Sequence, residues 1–145
     1  MRHGWNSLED YLYQYHRRLE YYLGFIKDYT FSAELVFEDG RNIVSIYMEI
    51  FCTNKTKITV VKTAAVKLQG NKLLAKTEDY SYNASIPGEG NIFRYDNARI
   101  HNGHKTKHHK HTFQIPGIED KNSPIPVEDD NWPHLHQIVE ELMQY

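Results

Sequence analysis

His109 and His111 occupy alternate positions in a short run with strand character, His108 to Gln114. Alternation puts both imidazoles on one face, with side chains about 7 Å apart. That spacing suits three different jobs. Two imidazoles can chelate one metal ion. They can act as general base and general acid around one scissile phosphate, because histidine titrates near neutral pH. Or they can occupy a solvated edge strand without any chemistry. Lys110, between them, faces the other way. The same neighbourhood holds His101, His104 and His108, so five of the nine histidines fall between residues 101 and 111.

A second pair lies just upstream. In the strand-like run Asn91 to Asn97, Arg94 and Asp96 point to one face, while Phe93, Tyr95 and Asn97 point to the other. Phe93 and Tyr95 suit a core side, which leaves Arg94 and Asp96 on an open face. An exposed ion pair there is worth little to stability. The alternative is an arginine steadied by a carboxylate and aimed at a phosphate, where its bidentate fork has value. From these two residues alone the exposed ion pair is the favoured reading.

Charge narrows the chemistry. The net formal charge is only -2. Residues 94 to 111 nonetheless carry Arg94, Arg99, Lys105, Lys107 and Lys110 against Asp96 alone, and residues 119 to 141 carry seven acids against Lys121. A basic patch on a nearly neutral chain points to a focused polyanion site. It also opposes a divalent cation, and no cysteine stands near the histidines, so the metal reading is the weaker one. No Gly-rich phosphate loop, GxSxG or HExxH motif is present, and no cofactor is implied. What remains suffices in principle for RNA cleavage: a base for the 2′-OH, an acid for the leaving oxygen and a cation for the crowded phosphate.

The elements that must position these groups are legible in outline. Ser7-Leu8-Glu9-Asp10 reads as a capping box opening an amphipathic helix from 7 to about 27, with Leu8, Tyr11, Leu12, Tyr15, Leu19, Tyr22, Leu23 and Ile26 at helical spacing. Strand signals follow over 29–37, 43–52, 58–68, 73–86, 91–97 and 108–114. Asp39-Gly40 marks a hairpin turn between the first two. The proline-containing, acid-rich segment 115–131 reads as a surface connector. Asn131 caps a last helix, where Leu135, Ile138, Val139 and Leu142 form an apolar stripe. The expected architecture is α+β, one domain over 1–145: an N-terminal helix, an antiparallel meander of five to six strands and a C-terminal helix.

Length and a 40% hydrophobic content fit a globular fold. The single cysteine, Cys52, suits a reducing compartment. No run approaches the roughly 18 apolar residues of a membrane span, and the N-terminus has no apolar signal core. A cytoplasmic location is expected.

Tyr80-Ser81-Tyr82, Arg94-Tyr95-Asp96-Asn97-Ala98, His101 and His109-Lys110-His111 together resemble the signature of the TumE-type toxin family. The likeness spans roughly residues 30 to 115, and the RYDNA element followed by HKH is its most specific part. It implies the toxin of a type II toxin–antitoxin pair, acting on RNA beside a helix-turn-helix antitoxin encoded nearby, with homo-oligomer formation left open. On that basis His109, His111, Arg94, Tyr95 and Asp96 are the catalytic candidates. Lys110, His101, Tyr80, Tyr82, Asn97 and Lys107 are candidates for substrate binding, and Glu49 resembles the family's acidic residue late in a strand. Two departures stand out: Lys107 occupies a position where proline is common in that family, and 63–74 is longer than usual. A non-catalytic RNA- or protein-binding module, a metal-dependent hydrolase and a nucleotide-transferring toxin are the competing readings.

Overall fold

The structure is a computed structural model that describes residues 3–97, 107–128 and 131–145. Its elements run β1 (Asn6–Ser7), α1 (Leu8–Glu20), β2 (Ile26–Glu38), β3 (Arg41–Cys52), β4 (Lys57–Gln69), β5 (Lys72–Ile86), β6 (Gly90–Asp96), β7 (His108–Ile115), β8 (Ile118–Glu119), β9 (Ile125–Val127) and α2 (Leu135–Met143). All pairings are antiparallel, in the order β2-β3-β4-β5-β6-β7-β8, with β1 added to β5 and β9 to β7. The helix–meander–helix plan stands, but with nine strands among the described residues rather than five or six.

Ser7 caps α1, its hydroxyl accepting from the Asp10 N–H at 3.1 Å. Glu9 and Asp10 in the first turn, and Arg17 and Arg18 in the last, complement the helix dipole. Tyr11, Tyr15 and Leu19 form the buried stripe. Each such side chain contributes about 1.5–3 kcal/mol through burial. The helix stops at Glu20, short of the expected end near 27. Leu23 is exposed, and Ile26 is buried as the first residue of β2 instead. The apolar periodicity continued into a strand, where the partner Cys52 rather than the helix decides its role.

The hairpin at Asp39-Gly40 forms as expected: φ is 53° at Asp39 and 76° at Gly40, the paired left-handed conformation of a two-residue hairpin turn. One sheet face carries Val44, Ile46, Met48 and Ile50 from β3, Ile58 and Val60 from β4 and Tyr80, Tyr82 and Ala84 from β5, packed with α1 and α2. Within α2, Leu135, Ile138, Val139 and Leu142 are buried as the spacing predicted. Its cap is His134 rather than Asn131, with the Gln137 side chain accepting from the His134 N–H at 2.9 Å. Pro133 thus precedes the helix.

The segment expected to be a plain connector contributes β8 and β9. These strands are two and three residues long, too short to show alternation, and exist because β7 offers them pairing partners. Pro126 faces His109 there, at the sheet margin where a missing N–H is tolerated. Gly90, at φ 130°, meets Gly117 closely, and the Gly117 N–H donates to Asn91 O at 2.9 Å. That contact ties the start of β6 to the turn after β7. Among the described residues, no helix is long and apolar enough to cross a membrane.

Candidate functional site

Strands β6 and β7 pair with Arg94 opposite His111 and Asp96 opposite His109. The four side chains therefore share the sheet face turned away from the helices. Tyr95 pairs with Lys110 on the helix side, where the Tyr95 hydroxyl donates to Glu141 Oε1 at 2.7 Å and Lys110 Nζ lies 2.7 Å from Glu141 Oε2. The division of faces expected from alternation is what the register produces.

Asp96 is the hub. Its Oδ2 accepts from Arg94 Nε at 2.8 Å, lies 2.6 Å from Arg94 Nη2 and 3.2 Å from His111 Nε2; its Oδ1 is 3.9 Å from His109 Nδ1. Arg94 Nη2 and His111 Nε2 are 3.4 Å apart. The β7–β8 pairing then brings Glu119, whose Oε2 is 3.0 Å from His111 Nδ1. Ser123 donates its hydroxyl to the same Glu119 oxygen and accepts from the Thr112 N–H at 3.0 Å. The Ser123 hydrogen bond foremost, then His111, hold the Glu119 carboxyl below its ordinary range.

Exposure sorts these groups by what they can touch. Side-chain exposure is 39% for Arg94, 40% for Glu119, 16% for His111, 8% for Asp96 and 1% for His109. Arg94 and Glu119 reach solvent, His111 reaches it along part of its ring, and Asp96 contacts both Arg94 and His111 from behind. His109 presents no surface to a substrate, so direct proton transfer by this residue does not fit the arrangement. His111 has a carboxylate at each ring nitrogen, and it can donate to both only as the imidazolium.

The remaining candidates separate from this cluster. Tyr80 and Tyr82 are core residues on the helix face, and burial pushes both phenols far up. Burial and then Glu141 push up Tyr95. Asn97 closes the β5–β6 end, accepting from the Tyr80 N–H at 2.9 Å and donating to Glu78 O. Lys107 is exposed just before β7, and His101 and His104 lie outside the described residues. Glu49 shares the open face and the same cross-strand row, Glu49–Thr59–Asn83–Arg94–His111, but sits three strands from Arg94 and pairs with Lys57 at 2.8 Å. At the usual strand spacing that is about 14 Å, too far to act on one phosphate.

Glu119 was legible in the sequence only as one acid among seven. Its role depends on a turn that folds β8 back on β7, for which the Pro116-Gly117 pair is the only local signal. Asn83, beside Arg94 in the row, donates Nδ2 to Asn91 Oδ1 at 2.8 Å, while its buried Oδ1 has no hydrogen-bond partner among the described residues. Among the described residues, no three His, Cys, Asp or Glu side chains are grouped to hold a metal ion. The geometry sets an exposed guanidinium beside a partly exposed imidazole, with Asp96 in contact with both and Glu119 with the imidazole. Compared with known proteins, the chain gives no significant match to any family model, curated protein or solved structure.

Proposed function

We propose that this chain is the toxin of a type II toxin–antitoxin pair and cleaves cellular RNA without a metal ion. The observation that carries the reading is the contact network of Arg94, Asp96, His111 and Glu119 on the face free of helices. The RYDNA and HKH elements that resemble TumE-type toxins supply most of it. Arg94 holds the scissile phosphate and stabilises its extra charge. Glu119 takes the 2′-OH proton, and protonated His111 delivers one to the leaving 5′-oxygen. Asp96 keeps Arg94 and His111 in place, and His109 supports Asp96. RNA has to part His111 from Glu119, because each must face the phosphate rather than the other. The RNA target places the protein in the cytoplasm, and a helix-turn-helix antitoxin encoded nearby is the expected partner.

Purified protein incubated with total RNA, with and without EDTA, tests this beside His111→Ala, Glu119→Gln and a heat-inactivated control. Cleavage that survives EDTA and falls by about 10²–10⁴ in either variant is the expected result. A fully active, folded His111→Ala protein would sink the mechanism.

A second reading, a non-catalytic RNA-binding module, is favoured by one feature: both His111 nitrogens already face carboxylates. It predicts salt-sensitive RNA binding, intact RNA in every lane, and greater sensitivity to charge reversal at Lys105, Lys107 and Lys110 than to loss of either histidine.

A further inference from the structure

The helix side of the sheet holds a second constellation that the proposed activity does not use. Lys62 is the one charged residue in the run Ile58–Ala65, and it points toward α1 between Ile46 and Tyr80. Only 5% of it is exposed. Its ammonium donates to the Tyr15 hydroxyl at 2.9 Å and lies 5.0–6.0 Å from the ring centres of Tyr11, Tyr15, Tyr82 and Trp132. Among the described residues it has no carboxylate within ion-pair distance.

Lys62 forms part of the wall of a polar cavity of about 310 Å³ between α1, the N-terminal residues and the start of α2. Arg17, Arg18, His3 and His134 also line it, and among the described residues Asp10 is the one carboxylate of the lining. Arg18 is braced: Nε and Nη2 donate to Gln14 Oε1 at 3.2 and 3.0 Å, and Nη1 meets His136 Nδ1. His3 is steadied by Trp132, ring against ring at 3.4 Å, with Nε2 2.9 Å from Trp132 O. The hydroxyls of Tyr11 and Thr77, 2.6 Å apart, add a neutral polar wall.

We infer that this cavity binds a small phosphate monoester, with Lys62 and Arg18 as its principal anion contacts and Arg17 at the mouth. Arg17 and Arg18, joined by Lys62 once it is protonated, stand against Asp10 among the described lining residues, and that balance gives the sign of the ligand. A buried amine whose described partners are a phenol and aromatic rings gains most from an anion brought to it, and the braced guanidinium loses little freedom on binding. A cavity of this size admits a sugar phosphate or mononucleotide and excludes a folded chain. Burial, and then the charge of Arg18, bring Lys62 down to about 7, so an anion arriving at pH 8 draws a proton into the site.

The test is calorimetric titration of the full chain with inorganic phosphate, ribose 5-phosphate and adenosine monophosphate, separately. Wild type, Lys62→Met and Arg17→Gln are compared, at pH 8 in two buffers of different ionisation enthalpy. Binding of at least one probe, weakened about tenfold or more in Lys62→Met and less in Arg17→Gln, is expected. Proton uptake should accompany binding in wild type and be lost in Lys62→Met. Tighter binding of either ester than of inorganic phosphate identifies the organic part as recognised; equal binding assigns the site to phosphate itself. No binding of any probe up to about 10 mM, or unchanged binding in a folded Lys62→Met, overturns the inference. The readout is binding, so it stands whatever the RNA assay returns.

Discussion

Lys62→Met keeps an apolar stem as far as Cε and removes the charged amine, so it tests what a buried cation does to stability. The groups facing Lys62 are Tyr11, Tyr15 and Arg18 from α1, Tyr80 and Tyr82 from β5, and Trp132. Desolvation first, and Arg18 second, lower Lys62 from 10.5 to about 7. An unfolded lysine titrates near 10.4. Between these limits the unfolded chain keeps a proton that the folded chain has released, so unfolding takes up a proton and stability rises with pH. The slope is at most about 1.4 kcal/mol per pH unit, and the whole window amounts to roughly 4–5 kcal/mol. Below pH 7 the cost is fully present; above pH 10 it has gone.

Other groups act in the opposite sense. Burial raises Cys52, Tyr11, Tyr15, Tyr80, Tyr82 and Tyr95, so their unfolded forms ionise first and stability falls above about pH 9. Wild type and Lys62→Met share these groups, and the difference between them removes the shared contribution. Urea denaturation in phosphate-free buffers from pH 6.5 to 9.5 provides the measurement. The variant is expected to be the more stable at pH 6.5, by a few kcal/mol, with an advantage that shrinks steadily toward pH 9.5. A difference that does not change with pH would refute the reasoning.

Gly90→Ala should destabilise the fold by about 1–3 kcal/mol, because a Cβ there would lie 2.7 Å from the Gly117 backbone and φ is 130°; a urea midpoint equal to wild type would show that the two turns can separate freely. Ser7→Ala removes the cap of α1 and should cost about 1 kcal/mol. Thermal unfolding checks it, and no change would mean that the Asp10 N–H finds water at no cost.

The two faces of the β6–β7 pair were readable in advance, since the period of two is a property of any strand. Phe93 and Tyr95 went inward, while Arg94, Asp96, His109 and His111 went to the opposite face. The stripes Tyr11–Tyr15–Leu19 and Leu135–Ile138–Val139–Leu142 were equally plain, because helical spacing of apolar side chains is a local code. Local codes fail where an element ends. Leu23 and Ile26 continued the pattern of α1, yet one is exposed and the other begins β2, a choice made by Cys52 across the sheet.

Sequence alone therefore determined the helix–sheet–helix plan and which side chains of each strand travel together, because these follow from backbone periodicity within a few residues. Tertiary structure decided the rest. Depth of burial withdrew His109 and left His111 at the surface. The fold-back of β8 joined Glu119 to His111 and brought its carboxylate under the charge of Arg94, more than twenty residues back along the chain. Lys62, unremarked in its strand, came to sit beneath α1 beside Arg18. Solvent access and distance between remote residues depend on how the chain closes on itself, and no spacing along the sequence encodes either.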